Sequence, residues 1–172
     1  AYTPQRWWQM FIPFKFLFEY LARRRDVGTF SGTHLYLKEI ALSAAYRDIE
    51  TGDPGRSDSE MQARLRDYRM HVQKIESTEI YELLTAWVNL LREHYRLLLS
   101  AQGKSYFTLV QNSYPSRQEY RSFLDRLKEI EGKIDRGIKH TKSGNNDLTP
   151  YIQKNEAAIE KARERELREI YG

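Results

Sequence analysis

Apolar positions in residues 77–102, STEIYELLTAWVNLLREHYRLLLSAQ, repeat at the helical period and cover most of a helix's girth. Wound at 3.6 residues per turn, Glu82, Thr85, Asn89, Arg92, Arg96 and Ser100 fall on one narrow polar stripe. Ile80, Leu83, Leu84, Trp87, Val88, Leu90, Leu91, Tyr95, Leu97, Leu98 and Leu99 occupy the remainder. A surface helix hides a stripe of roughly 100° or somewhat more, so a rod this apolar needs neighbours on several sides. The pattern predicts the central helix of an all-α, single-domain bundle of five or six helices, ended by Gly103 as a left-handed cap.

Upstream, Met61, Leu65, Tyr68, Val72 and Ile75 follow at spacings of four, three, four and three, a narrow seam on an otherwise charged helix. Ser57 and Glu60 have the form of a capping box, and residues 51–56, TGDPGR, read as a turn. Continued in phase, the seam lands on Glu79 and Glu82, so a kink or break is expected near residues 76–78. An earlier helix over residues 34–50 turns Leu35, Ile40, Ala41, Ala44, Ala45 and Ile49 inward. Residues 26–33, DVGTFSGT, read as a loop with Ser31 or Thr33 as N-cap, the same letters that an anion-binding turn uses.

Downstream, residues 105–113, SYFTLVQNS, form a helical turn or an extended plug for the bundle. Ser116 and Glu119 make a second capping box, opening a helix whose seam is Tyr120, Phe123, Leu124, Leu127, Ile130, Ile134 and Ile138. Gly132 and Gly137 each weaken that helix by about 1 kcal/mol relative to alanine, and either admit a close neighbour or let the end fray. Thr149 and Pro150 suit an N-cap and first helical position. Residues 150–171 then form a peripheral charged helix with a thin seam of Ile152, Ala157 or Ile159, Ala162, Leu167 and Ile170.

Residues 1–25 differ from everything that follows. Seven aromatic side chains lie between Trp7 and Tyr20, Pro13 kinks the middle, and Arg23, Arg24 and Arg25 close the stretch. Three roles fit such an arm: an anchor in the headgroup layer of a membrane, a hydrophobic arm for a protein partner, or a piece of the domain's own core.

Composition narrows the class. Of the 172 residues, 40% are hydrophobic and 30% charged, the balance of a globular protein rather than a disordered one. The chain has no cysteine, which removes thiolate chemistry and cysteine-ligated zinc, and no run of about 20 apolar residues spans a bilayer. It opens without a methionine, as a piece of a longer protein would. The net charge of +4 is spread, with a surplus of two over residues 1–50, none over 51–114 and two over 115–172. A protein that grips phosphates concentrates its cations on one face. One locally basic segment carries Lys133, Arg136, Lys139 and Lys142, the candidate phosphate contacts of an alternative nucleic-acid-binding reading.

Catalytic signatures are missing from the sequence. His34, His71, His94 and His140 fall on separate elements, and no HExxH, P-loop, GxSxG or EF-hand spacing occurs. No catalytic residue, metal ligand or cofactor is therefore assigned. The sequence points to a non-enzymatic helical adaptor or scaffold, cytoplasmic and peripheral to a membrane, with a protein partner or a membrane surface contacted by Trp7, Trp8, Phe11 and Phe14. Arg23, Arg24 and Arg25 supply the electrostatic steering.

Overall fold

The computed structural model describes residues 27–73, 77–141 and 149–172, with side chains over 36–70, 77–137 and 156–172. Six α-helices and one π-helical turn make up these residues, and no strand occurs among them: α1 Val27–Thr51, α2 Pro54–Asp67, the π turn Tyr68–Gln73, α3 Thr78–Ser100, α4 Tyr106–Ser113, α5 Arg117–Thr141 and α6 Thr149–Tyr171. The bundle expected from the apolar periodicity is the fold observed.

α1 starts earlier than its inward pattern predicts, and residues 27–33 are helix rather than loop. Ser31 and Thr33 are therefore interior helical residues and cap nothing. From Ser31 onward each N–H faces the carbonyl four positions back in the helix, so the turn expected at residues 31–33 does not form. Two glycines in that stretch lower its helical preference without breaking the geometry. Ile49, expected inside, is 46% exposed, while Leu37 and Lys38 are buried in its stead.

α1 and α2 form an antiparallel hairpin, tied by Glu39 with Arg64 and by Arg47 with Glu60. The hairpin turns on Gly52, whose φ of 63° is left-handed and whose N–H donates to Asp48 O at 3.2 Å. Asp53 then caps α2, its Oδ1 accepting from the N–H groups of Gly55 and Arg56 at 3.0 and 3.2 Å, with Pro54 in the first turn. The helix thus begins four residues before the expected capping box. Ser57, its supposed cap, lies buried inside the first turns and donates its hydroxyl to Asp48.

The break between the two apolar seams falls where the phase change places it. α2 runs into the π turn, and α3 begins afresh at Ser77, extended at φ −70° and ψ 118°, with Oγ accepting the Ile80 N–H at 3.3 Å. The Arg69 guanidinium lies 4.9 Å from the centre of the Tyr81 ring, bracing this corner.

α3 is the hub, packed against α1, α4 and α5. Ile80, Trp87, Val88, Leu90, Leu91, Tyr95 and Leu98 are buried along it, each contributing about 1.5–3 kcal/mol by leaving water. Leu97 remains 40% exposed, so the rod is wrapped on three sides and not all round. α5 crosses α3 antiparallel, setting Gly137 against Ile80, Glu131 against Trp87 and Phe123 against His94. A Cβ on Gly137 would lie 3.0 Å from Ile80 Cγ1, whereas one on Gly132 would meet only Arg136 Nη1 at 3.5 Å. Close approach explains the first glycine only.

Gly103 is not a left-handed cap. α3 ends at Ala101 in an extended conformation, and a Cβ on Gly103 would lie 3.0 Å from Leu109 N, so the residue clears the path of α4. α4 resolves the connector as helix: the Ser105 hydroxyl accepts the Thr108 N–H at 3.2 Å, and Leu109 and Val110 are buried. Ser116 caps α5 as expected, accepting the Glu119 N–H at 3.2 Å. α6 packs along α4 and α5, burying Leu167 and Ile170 of its seam together with Arg163. No helix of the described residues is long and apolar enough to cross a membrane.

Candidate functional site

The helix crossings gather an unusual number of ionisable side chains in the interior. His94, midway along α3, is buried and stacked on Phe123, with ring centres 4.3 Å apart and planes 8° from parallel. Its Nδ1 lies 2.9 Å from the Tyr114 hydroxyl. Burial, reinforced by the positive charge of Lys38, pushes the imidazole down to about 3. Burial also raises the Tyr114 phenol above its ordinary value. Neither partner titrates near neutrality, so a neutral hydrogen bond fills a place where a general base needs a pKa near the working pH.

A second group lies beside it. Glu131 of α5 accepts from Trp87 Nε1 at 3.3 Å and from Arg163 Nη2 of α6 at 2.8 Å. Lys38 of α1 is buried nearby, and burial lowers its ammonium to about 8, opposed by Glu131 and assisted by Arg163. One carboxylate therefore bonds an indole on α3 and a guanidinium on α6, with the buried Lys38 ammonium of α1 within its field.

The third group ties down the end of α6. Tyr120 donates to Glu166 Oε1 at 2.9 Å, and its hydroxyl lies 2.9 Å from that of Tyr106. Burial raises the Glu166 carboxyl, although hydrogen bonds from Tyr106 and Tyr120 pull the other way. Tyr171 donates to Tyr114 O at 2.8 Å, and Gln111 donates its amide to Ile170 O.

These groups bond to one another rather than to an opening. A pocket between α5 and α6, lined by Arg121, Lys128, Glu160 and Arg163 among others, has a volume of about 10 Å³, room for a single water. Among the described residues, no set of three or more histidine or carboxylate side chains is placed to hold a metal ion. The arrangement fixes helix register through buried polar bonds.

Little of this interior chemistry was singled out from the sequence. Lys38 stands three and seven residues before Ala41 and Ala45, on the inward face, and Arg163 stands four and seven before Leu167 and Ile170. That spacing was the available signal, and long cationic stems filling inward positions mask it.

The contacts expected at Trp7, Trp8, Phe11, Phe14, Arg23, Arg24 and Arg25 lie outside the described residues, as does Lys142. Lys139 falls on α5, its side chain outside those described. Lys133 is exposed and donates to Glu129 at 2.6 Å, while Arg136 is exposed one turn on. The described surface also carries large apolar side chains: Tyr46 and Ile49 on α1, Met70 in the π turn, Leu97 on α3 and Phe107 on α4. No family model, curated protein or solved structure matches this chain.

Proposed function

We propose that the chain is a non-enzymatic helical adaptor that presents an aromatic, arginine-flanked segment to a protein partner at a membrane surface on the cytoplasmic side. Trp7, Trp8, Phe11 and Phe14 make the contact, each apolar ring contributing about 1.5–3 kcal/mol when covered, and Arg23, Arg24 and Arg25 steer it toward anionic charge. The observation that carries the reading is the closure of the interior polar groups: His94, Glu131 and Glu166 are each bonded to neighbours on other helices or loops. Groups spent on register are not available for chemistry, which favours a rigid platform over an enzyme. The platform also meets the segment directly, since α1 begins at Val27, two residues beyond Arg25.

The test is flotation with phosphatidylserine-containing vesicles, comparing the full chain with residues 26–172. The full chain is expected to float and the shorter one to stay behind with its helical circular dichroism intact. Equal flotation, or none by either, removes the membrane arm of the reading. Raising the salt from 0.1 to 0.5 M should weaken the binding of the full chain, because the arginine contribution is screened.

A further inference from the structure

We propose that α6 is a charge-held latch over a helix-binding groove on α5: it opens as a unit while α1–α5 stay folded, and the groove then takes a partner's acidic amphipathic helix in its place. The latch is separate from the contact segment and involves none of residues 1–25. Its two facing stripes share one spacing and carry opposite charge. Arg117, Arg121, Leu124 and Lys128 follow at four, three and four residues on α5, and Glu160, Glu164, Leu167 and Tyr171 do the same on α6. Lys128 donates to Glu160 at 2.6 Å, Arg121 donates to Glu164, and Arg117 stands 3.8 Å from that second carboxylate. Leu124 and Leu167 line one cleft between the rims, and the rings of Tyr120 and Tyr171 have centres 6.4 Å apart.

Little apolar burial holds α6 down. Leu167 and Ile170 are its buried apolar side chains among the described residues, against seven along α3. The rim is wet, with Arg121 and Lys128 41% and 54% exposed, so salt screens its ion pairs. The inner tie is imperfect. Glu131 accepts from Arg163 at 2.8 Å while lying in the field of the buried Lys38, and Arg163 Nε is buried with no acceptor. An unmet buried donor costs free energy in the closed state and nothing in water. Opening carries Arg163 out together with Glu160 and Glu166, the carboxylates of its own helix that lie in its field. The interior side chains left behind keep partners: Glu131 retains Trp87 Nε1 and Lys38, Tyr120 retains the Tyr106 hydroxyl, and Tyr114 retains His94. What opening uncovers is Tyr120 and Leu124 beside three cations. A helix with two carboxylates four residues apart and an apolar residue one turn on fits that floor and rim as α6 does, and a basic helix is repelled.

Backbone hydrogen exchange on the full chain tests the latch. In low salt, the amides of residues 160–170 on α6 should exchange together and faster than those of residues 87–98 on α3. Raising the salt to about 1 M, which shortens the screening length to about 3 Å, should speed α6 several-fold and leave α3 unchanged. The surface variant Glu160→Gln/Glu164→Gln should speed α6 about tenfold in low salt, a factor that exposed ion pairs supply together. A common rate for both helices, or an α6 rate that either change leaves unmoved, overturns the latch. The groove is tested with a labelled peptide of residues 149–171 added to the full chain and followed by fluorescence anisotropy. Apparent affinity scales with the open fraction, so the double variant should bind the peptide more tightly than the parent by the factor by which its α6 exchange rises. A peptide carrying Glu160→Gln/Glu164→Gln should bind both proteins more weakly. Faster exchange without tighter binding overturns the groove, and binding that ignores the peptide's carboxylates overturns its acidic occupant.

Discussion

Arg92 holds Asp48 in a two-pronged ion pair, Nε to Oδ2 at 2.8 Å and Nη2 to Oδ1 at 2.7 Å, with side chains 12% and 5% exposed. The same guanidinium reaches Ser57 Oγ at 2.6 Å, Pro54 O at 3.2 Å and Asp58 Oδ1 at 3.1 Å. It therefore joins the end of α1, the first turn of α2 and the middle of α3. The planar fork of arginine suits this task, because its fixed donors reach acceptors on two other helices at once. Burial disfavours the Asp48 charge, but hydrogen bonds from Arg92 and Ser57 outweigh it and hold the carboxyl below its ordinary range.

Removing either partner strands the other. Arg92→Ala and Asp48→Ala should each lower stability by about 3 kcal/mol, read as a reduced urea midpoint at unchanged slope. Their double variant should lose clearly less than the two losses added, with a coupling above about 1 kcal/mol. Additive losses would mean that the pair is not the joint. The acid limb follows the same sign: a depressed folded pKa gives stability present above the unfolded value near 4 and lost as the pH falls through the folded one.

Glycines 132 and 137 should answer alanine differently. Gly132→Ala is expected to gain about 1 kcal/mol of helix stability, since the new methyl group meets only the tip of Arg136. Gly137→Ala should show no net gain or a loss, because Ile80 already stands where the methyl group would go. Thermal unfolding of the two variants beside the parent decides it, and an equal gain for both would deny the close crossing of α3 and α5.

His94 should make the bundle sensitive to mild acid. Its folded pKa of about 3 lies below the ordinary 6.5, so the unfolded chain takes up the proton first. Stability is full above pH 6.5 and falls by about 1.4 kcal/mol per unit between 6.5 and 3. Urea titrations at pH 7.5, 6 and 5 measure the slope. The variant His94→Phe/Tyr114→Phe, which keeps the stack and removes both hydrogen-bonding groups, should flatten it; a retained slope assigns the proton elsewhere.

Glu166 acts with the opposite sign. Burial raises its carboxyl, so its contribution is greatest below its unfolded value and declines as the pH rises through the folded one. Glu166→Gln still accepts from Tyr120 but carries no charge, and should match or exceed the parent at pH 7 while losing that advantage at pH 4. Glu166→Leu leaves the Tyr106 and Tyr120 hydroxyls short of an acceptor and should cost about 1–3 kcal/mol at both. If the glutamine variant is as weak as the leucine one, the charge itself holds α6.

Five of the six helices, the central place of residues 78–100 and the break at Ser77 were legible in the order of residues, whereas residues 105–113 fitted a helical turn and an extended plug alike. Each depends on periodicity, capping and proline geometry, and those act over four or five positions of the chain. Ser57 marks where that range ends: its capping letters are sound, yet Asp53 and Pro54 offer an earlier start, and only the folding of α2 back along α1 gives the serine Asp48 to bond. Lys38, Arg92 and Arg163 are the same case at longer range. Their partners Glu131 and Asp48 lie 32 to 93 positions away along the chain, and a polar residue on a helix reads as solvated until a distant carboxylate is known to face it. Local spacing determined the rods and their apolar sides; tertiary structure alone decided which charges entered with them, because the penalty for burying a charge is lifted only by a partner the sequence does not place.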